Sequence, residues 1–241
     1  MTRTAIIAAM PAELKFLVCG WHHKRSNGVD LWCFNNGERV AACAGAGVSA
    51  ATRAFAEVEK SGEVEKVVSV GWAGALREEL VPGQAYDVST VIDAHTGERF
   101  IAAGPPNNCW LVTNSRVADA TEKKRLASTY EASLVDMEAA GVARLAKMRG
   151  IPFYCIKGIS DGYSDQLPDF NRFILPSGQF KLTRFVVFAL LHPRYWHALI
   201  RMGENSRKAA RNIAQSVLDF LDELDERGPA SKRNGNQNHQ H

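Results

Sequence analysis

Four carboxylates stand where an apolar run gives way to something else. Residues 135–143 read Val-Asp-Met-Glu-Ala-Ala-Gly-Val-Ala, so that Asp136 and Glu138 bracket Met137 between a strand-like run and an alanine-rich, helix-like one. Asp161 closes a mostly apolar run, after Ser160 and before Gly162. Glu13 lies one turn into a segment that begins with Pro11, directly after the first apolar run. A carboxylate at the end of a buried strand is partly desolvated, which raises its pKa and suits it to carry a proton. The same residue can instead bond turn amides. Taken alone, Glu138 reads as a favourable charge at a helix N-terminus, Glu13 as a solvated first-turn acid, Met137 as core filler and Asp136 as structural or solvated.

Other chemistries find less support. "GAGVSA" (45–50) follows a strand and opens a helix, a weak form of the dinucleotide fingerprint. That fingerprint wants an acid at the end of the next strand, where the chain has Gly71-Trp72, with Glu63 and Glu65 at the strand's start. The glycines serve equally to let a small ligand or a neighbouring backbone come close. His22 and His23 are adjacent and His192 and His197 flank Pro193, so neither pair has helical metal-ligand spacing. GxSxG and GxxxxGK[ST] are absent. The residues point to a carboxylate-based site without a metal or a nucleophilic Ser or Cys.

Elements that can hold such a site alternate along the chain. Strands are predicted at 4–10, 39–47, 64–76 (ending in a glycine-flanked turn), 85–93, 109–115, through "ASLVDM", and at 151–161. Helices are predicted over "PAELKFLV", with Pro11 suited to the first position, over 48–60, and from Glu138 to a stop at Gly150. Several strands are apolar throughout, which argues for a mostly parallel, twisted, mixed sheet covered on both faces, a three-layer α/β/α sandwich. Ligands of open α/β sheets bind beyond the carboxyl ends of strands. Met10–Glu13, Gly45–Gly47, Gly71–Gly74, the Asp136–Glu138 junction and Ser160–Asp161 therefore line one crevice if one sheet holds them.

The 241 residues suit a single large α/β domain, read as 1–226, with a low-complexity polar tail at 227–241 expected to be disordered. A net charge of +3 gives no argument for nucleic acid. Residues 181–214 nevertheless carry seven Lys/Arg against the single acid Glu204. Five scattered cysteines without a CxxC pair fit reduced thiols in a cytoplasmic protein. The N-terminus lacks a signal-peptide pattern, and no apolar run reaches the roughly 18 residues of a membrane span. Ile213, Val217, Phe220, Leu221 and Leu224 form one apolar face of a last helix.

"IIAAMPAE", "GAGVSAA", "VGWAGAL", "VDMEAAGVA" and "IPFYCIKGISD" occur in an order and spacing that resembles the nucleoside phosphorylase and methylthioadenosine/S-adenosylhomocysteine nucleosidase superfamily, over roughly residues 4–165. The resemblance implies cleavage of a purine nucleoside's N-glycosidic bond through a ribosyl cation-like transition state, without a cofactor, by water or by phosphate as co-substrate. It implies that Glu138 binds the ribose hydroxyls, that Met137 packs on the sugar, and that Asp161, oriented by Ser160, donates to purine N7. Glu13 matches the acid that activates water in the nucleosidase branch. Gly47, Ala73 and Gly74 fall at substrate-binding positions. A homo-oligomer is implied.

Departures from the pattern matter. Trp72 replaces the Ser or Thr that helps hold the nucleophile, and Ser69 and Lys157 stand where relatives carry arginine. The phosphate site is weakened and water favoured, although Lys157 or Arg53 offers a substitute cation. The loop after "LVTNS" carries no aromatic to stack on the base. The C-terminal third resembles hopanoid-associated phosphorylase-like proteins, which implies adenosylhopane as substrate. Phe185, Val186, Val187, Phe188, Leu190, Leu191, Trp196, Leu199 and Ile200, rimmed by Lys181, Arg184, Arg194 and Arg201, could rest on the inner membrane surface, pack on the domain, or join subunits. Two other readings stay open: a silent nucleoside-binding protein with Trp72 filling the nucleophile site, and a dinucleotide-binding oxidoreductase.

Overall fold

Apolar residues alternate between two cores along the first strand, and this decides the layering. A computed structural model describes residues 3–227. In β1 (Arg3–Ala8), Ala5 and Ile7 enter one core and Ile6 and Ala8 the other, as the two-residue period of a strand requires. The first core is closed by α2 (Val48–Glu59) and α4 (Ala139–Arg149), through Ala50, Phe55, Val58, Ala140, Ala143 and Ala146. The second is closed by α1 (Pro11–Leu14) and α6 (Trp196–Arg227), through Leu14, Ile213, Val217 and Leu221. Each fully buried Ile, Leu, Val or Phe contributes roughly 1.5–3 kcal/mol. The three-layer expectation is met. Phe220 is partly buried against the same face, while the side chain of Leu224 and residues 228–241, the greater part of the expected tail, lie outside the described residues.

Eleven strands form one sheet, in the order β2-β3-β4-β1-β5-β10-β9-β7-β8, with β11 and β6 branching from β5. Its interior pairs, β1 (3–8) with β4 (Arg39–Cys43) and β5 (Val64–Ala75), β5 with β11 (Phe153–Asp161), and β9 (Trp110–Thr113) with β7 (Thr90–Asp93) and β10 (Leu134–Asp136), are parallel. Antiparallel strands supply the rims: β2 (His22–Ser26) with β3 (Val29–Phe34), β8 (Arg99–Ile101) on β7, and β6 (Ala85–Asp87) on β11. The polar β2–β3 hairpin escapes a search for apolar runs. Its sequence signal is Asn27-Gly28, both at positive φ as a tight hairpin turn requires.

Three expectations need correction. The first helix ends at Leu14 instead of running through "KFLV". The run at 85–93 is two strands, β6 and β7, on different neighbours. No turn follows Gly71. β5 continues to Ala75, leaves β1 after Ser69, and pairs antiparallel with β10 at Gly74–Ala75. The bend brings Trp72–Gly74 over the carboxyl end of β1. Gly71, at φ 134°, is obligatory here, because a Cβ would stand 2.8 Å from the Glu13 carboxylate. Gly141 has a packing reason, since a Cβ would meet Val48 of α2 at 2.7 Å.

Candidate active site

Glu13, Asp136, Met137, Glu138, Ser160 and Asp161 line a single cavity of about 370 Å³, together with Ala9, Met10, Ala46 and Trp72–Gly74. The crevice expected from the strand ends exists. Gly47 is off the wall, but its amide donates to Glu138 Oε1 at 2.6 Å. A separate hollow of about 520 Å³ beside α6, with Asp87, Asp219 and Glu223, holds none of the candidate residues.

Glu13 is a buried acceptor, not a solvated helix-start charge. Its Oε1 accepts from the Trp72 amide, and its Oε2 from the Ala9 and Met10 amides, each at 2.8 Å. Burial lifts its pKa, and the amides of Trp72 and Met10, the Lys157 charge and the Ala9 amide pull partly back. Three of about four carboxylate lone-pair directions are filled, which leaves one for a molecule in the cavity. Glu138 sits at the start of α4 and is pushed up to about 8, first by burial, then by the Asp136 charge. Lys157 opposes this, Glu13 adds to it, and the Gly47 amide opposes it.

Asp136 is structural. Its Oδ1 accepts from Thr113 Oγ1 at 2.7 Å, and its Oδ2 accepts from the Ala139 amide and pairs with Lys157 Nζ, both at 2.9 Å. Burial alone would push the Lys157 ammonium down. The charge of Asp136, with those of Cys155 and Glu138 and the hydrogen bond to Asp136, together more than offset that, and Lys157 ends above its usual range. Lys157 is therefore no free cation for phosphate. Arg53 is also engaged, through the carbonyls of Ala44 and Ser177.

Asp161 accepts on both oxygens. Ser160 Oγ donates to Oδ1 at 2.6 Å, and Lys123 Nζ donates to Oδ2 and, at 2.6 Å, to the Gly162 carbonyl. Lys123 comes from α3 (Ala120–Tyr130), a helix the apolar-run reading does not find. α3 opens on Asp119, whose side chain accepts from the Glu122 amide, and it buries only Lys123 and Leu126. The Asp-x-x-Glu spacing at 119–122 was the available signal. Nothing local marks Lys123 over its neighbour Lys124.

Trp72 lines the cavity and is tied to α6. Its indole Nε1 donates to the Ser206 carbonyl of α6 at 3.0 Å, and the residue also lines an apolar groove of about 670 Å³. The groove runs between α1, α5 (Leu182–Leu191) and the start of α6, and shares Trp72, Phe170 and Met202 with the cavity. The loop after β9 contributes Arg116–Ala118, and the aromatic wall comes from Phe170 and Phe180 instead. Their segment is held by backbone contact: the Ala46 amide donates to the Gly178 carbonyl at 2.8 Å, and a Cβ on Gly45 would lie 2.6 Å from that oxygen. Close approach of neighbouring backbone explains Gly45. Among the described residues, no cluster of three or more His, Cys, Asp or Glu could hold a metal.

Residues 109–181, which span β9 to the Phe180 segment, match the profile of the phosphorylase superfamily. A 5'-methylthioadenosine/S-adenosylhomocysteine nucleosidase of Treponema pallidum is 28% identical over 113 residues, a stretch that covers 43% of this chain and 42% of that protein. The fold superposes on the Helicobacter pylori 5'-methylthioadenosine/S-adenosylhomocysteine nucleosidase bound to butyl-thio-DADMe-Immucillin-A, with a TM-score of 0.69, 18% identity, and 93% of this chain and 99% of that one covered. The Helicobacter pylori futalosine hydrolase gives 0.69 at 16% identity over 92% and 98%. The Arabidopsis thaliana 5'-methylthioadenosine nucleosidase gives 0.67 at 15% over 93% and 96%.

Proposed function

We propose that this chain, a member of the phosphorylase superfamily, cleaves the N-glycosidic bond of an adenine nucleoside with water. The observation that carries the reading is the convergence of Glu13, Glu138 and Asp161, from three distant stretches, on one cavity. Glu138 accepts from the ribose hydroxyls and Met137 packs on the sugar. Positive charge developing on the sugar opposes the upward shift of Glu138 and favours its carboxylate form. Asp161, held by Ser160, faces the leaving base, so that the C–N bond electrons end on a base protonated at N7. Ala73 and Gly74 bring β5 backbone against the substrate, and the Gly47 amide fixes Glu138.

Glu13 takes the proton of the attacking water. It contacts β5 at Trp72 while Asp161 is in register with Gly74. These anchor points are two residues apart, roughly 7 Å along the strand, on the scale of a sugar carbon and a water between base and acid. The engagement of Lys157 and Arg53 supports water over phosphate.

The apolar groove supports a hydrophobic 5′ substituent, of which adenosylhopane is the example that the C-terminal resemblance supplies. Leu182, Val187, Leu190, Leu191 and Ile200, on α5 and the start of α6, are exposed. Arg184 and Arg194 are exposed beside them, whereas Arg201 pairs with Asp165 at 2.5 Å. No described helix is long and apolar enough to cross a membrane. We take this face to rest on anionic lipid, where each basic residue contributes roughly 1 kcal/mol. Co-sedimentation with phosphatidylglycerol vesicles but not phosphatidylcholine vesicles, lost in Leu190→Asp/Leu191→Asp, is expected; equal recovery with both lipids removes the idea.

The deciding experiment measures adenine released from adenosine, methylthioadenosine, S-adenosylhomocysteine and an alkyl-tailed 5'-deoxyadenosine, with and without phosphate. Phosphate-independent release, fastest from the tailed substrate, is expected. Release that requires phosphate makes the chain a phosphorylase. Binding without release from any of them makes it a silent binder.

A further inference from the structure

Lysine is rarely buried and is disfavoured in the first turns of a helix, where the helix dipole is positive. Lys123 is 2% exposed and stands in the second turn of α3. It lies on the cavity wall, and its ammonium bonds Asp161 Oδ2 and the Gly162 carbonyl. Asp161 Oδ1 is taken by Ser160. Two proton-bearing groups therefore stand against Asp161, and an ammonium is a far stronger acid than a serine hydroxyl, which here also has the Ala73 carbonyl within reach at 3.3 Å. The ammonium that touches Asp161 on the cavity side is that of Lys123.

We propose that Lys123 supplies the proton that the departing base receives, through Asp161. As the glycosidic C–N bond breaks, its electron pair stays on the base. N7 takes a proton from Asp161, and Asp161 takes one from the Lys123 ammonium. The pair ends as a carboxylate and a neutral amine. The water that adds to the sugar leaves its proton on Glu13, and exchange with solvent returns Glu13 and Lys123 to their starting states. Lys123 is a positioning and proton-supplying residue that acts through Asp161. Gly74 fits this role, because a Cβ there would crowd both Lys123 Cε, at 3.1 Å, and Asp161 Oδ2, at 3.2 Å.

The inference rests on the N-glycosidic reading, and the test separates the two. Adenine release is compared with release of p-nitrophenolate from a p-nitrophenyl riboside bearing the same 5′ group, a leaving group that departs without a proton. Lys123→Met keeps the packing volume but carries no proton. Lys123→Arg keeps the charge beside Asp161, but a guanidinium does not give up its proton. Both variants should lose about 10²–10⁴-fold in adenine release at neutral pH and less than about tenfold in p-nitrophenolate release, which also reports that the variant is folded. Equal losses on both substrates, or adenine release restored in Lys123→Arg, would overturn the proposal and leave Lys123 as a charge partner. Wild-type protein that releases adenine from no nucleoside overturns the underlying reading and this inference with it.

Discussion

Two buried lysine–aspartate pairs, built from the same groups, do different things. Lys157 and Asp136 are 1% and 5% exposed, Lys123 and Asp161 2% and 8%. The first pair is saturated from behind: Asp136 also serves Thr113 and the Ala139 amide, and Lys157 serves the Val70 carbonyl. It fixes the start of α4 on the sheet, and so fixes Glu138. Of the first pair only Asp136 reaches the cavity wall, whereas in the second both members do. Ionic chemistry alone does not distinguish the pair proposed to react; its place on the cavity does.

Mutations can break this comparison. The largest expected effect is on turnover. Asp161→Asn should lower adenine release per folded molecule by about 10²–10⁴-fold, and an unchanged rate would remove Asp161 from the mechanism. Lys157→Met leaves Asp136 buried without its cation and should cost about 3–5 kcal/mol of stability. Urea unfolding measures this, and a loss under about 1 kcal/mol would show that the first pair is no scaffold. Glu138→Gln should weaken binding and turnover together by about 10–100-fold, as expected for a charged hydrogen bond of roughly 1.5–3 kcal/mol. Wild-type kinetics would reduce Glu138 to a helix-start charge.

A further effect is in stability against pH. A carboxyl group whose pKa is raised in the folded state holds a proton that the unfolded chain has released. The fold therefore loses stability as pH climbs from the ordinary carboxylate range towards about 8 for Glu138. The melting temperature of the wild type relative to Glu138→Gln should fall between pH of about 5 and about 8. Glu13 shifts in the same direction but is common to both proteins, so it cancels. A difference that stays flat would mean that Glu138 is not held protonated in the empty site.

Much of the core of this site was legible in the residues. Asp136, Met137 and Glu138 sit where β10 passes into α4, and Ser160 and Asp161 where β11 ends, because a strand's apolar run and a helix's alanine run are both local signals. Gly150 ends α4 in the left-handed conformation, as its type suggested. Other features were illegible for a physical reason. α3 has little apolar surface to give it a period. The bend in β5 comes from a change of neighbour, which residue types along one strand do not encode. The hold of α6 on the Trp72 indole joins residues 134 positions apart.

The sequence by itself determined the alternation of strands and helices, the three carboxylates proposed to carry the chemistry, and the glycines that let backbone and side chains approach. Those follow from periodicity, turn chemistry and residue type, which act over a few residues. Only the tertiary structure decided which cation meets which acid: Lys123 reaches Asp161 across 38 positions, and Lys157, not Lys123, closes on Asp136. It also placed Phe170 and Phe180 on the cavity wall, with Gly178 seated on Ala46. Such pairings depend on the order of strands in the sheet and on where α3 and α6 pack against it, and no short stretch of chain contains that information.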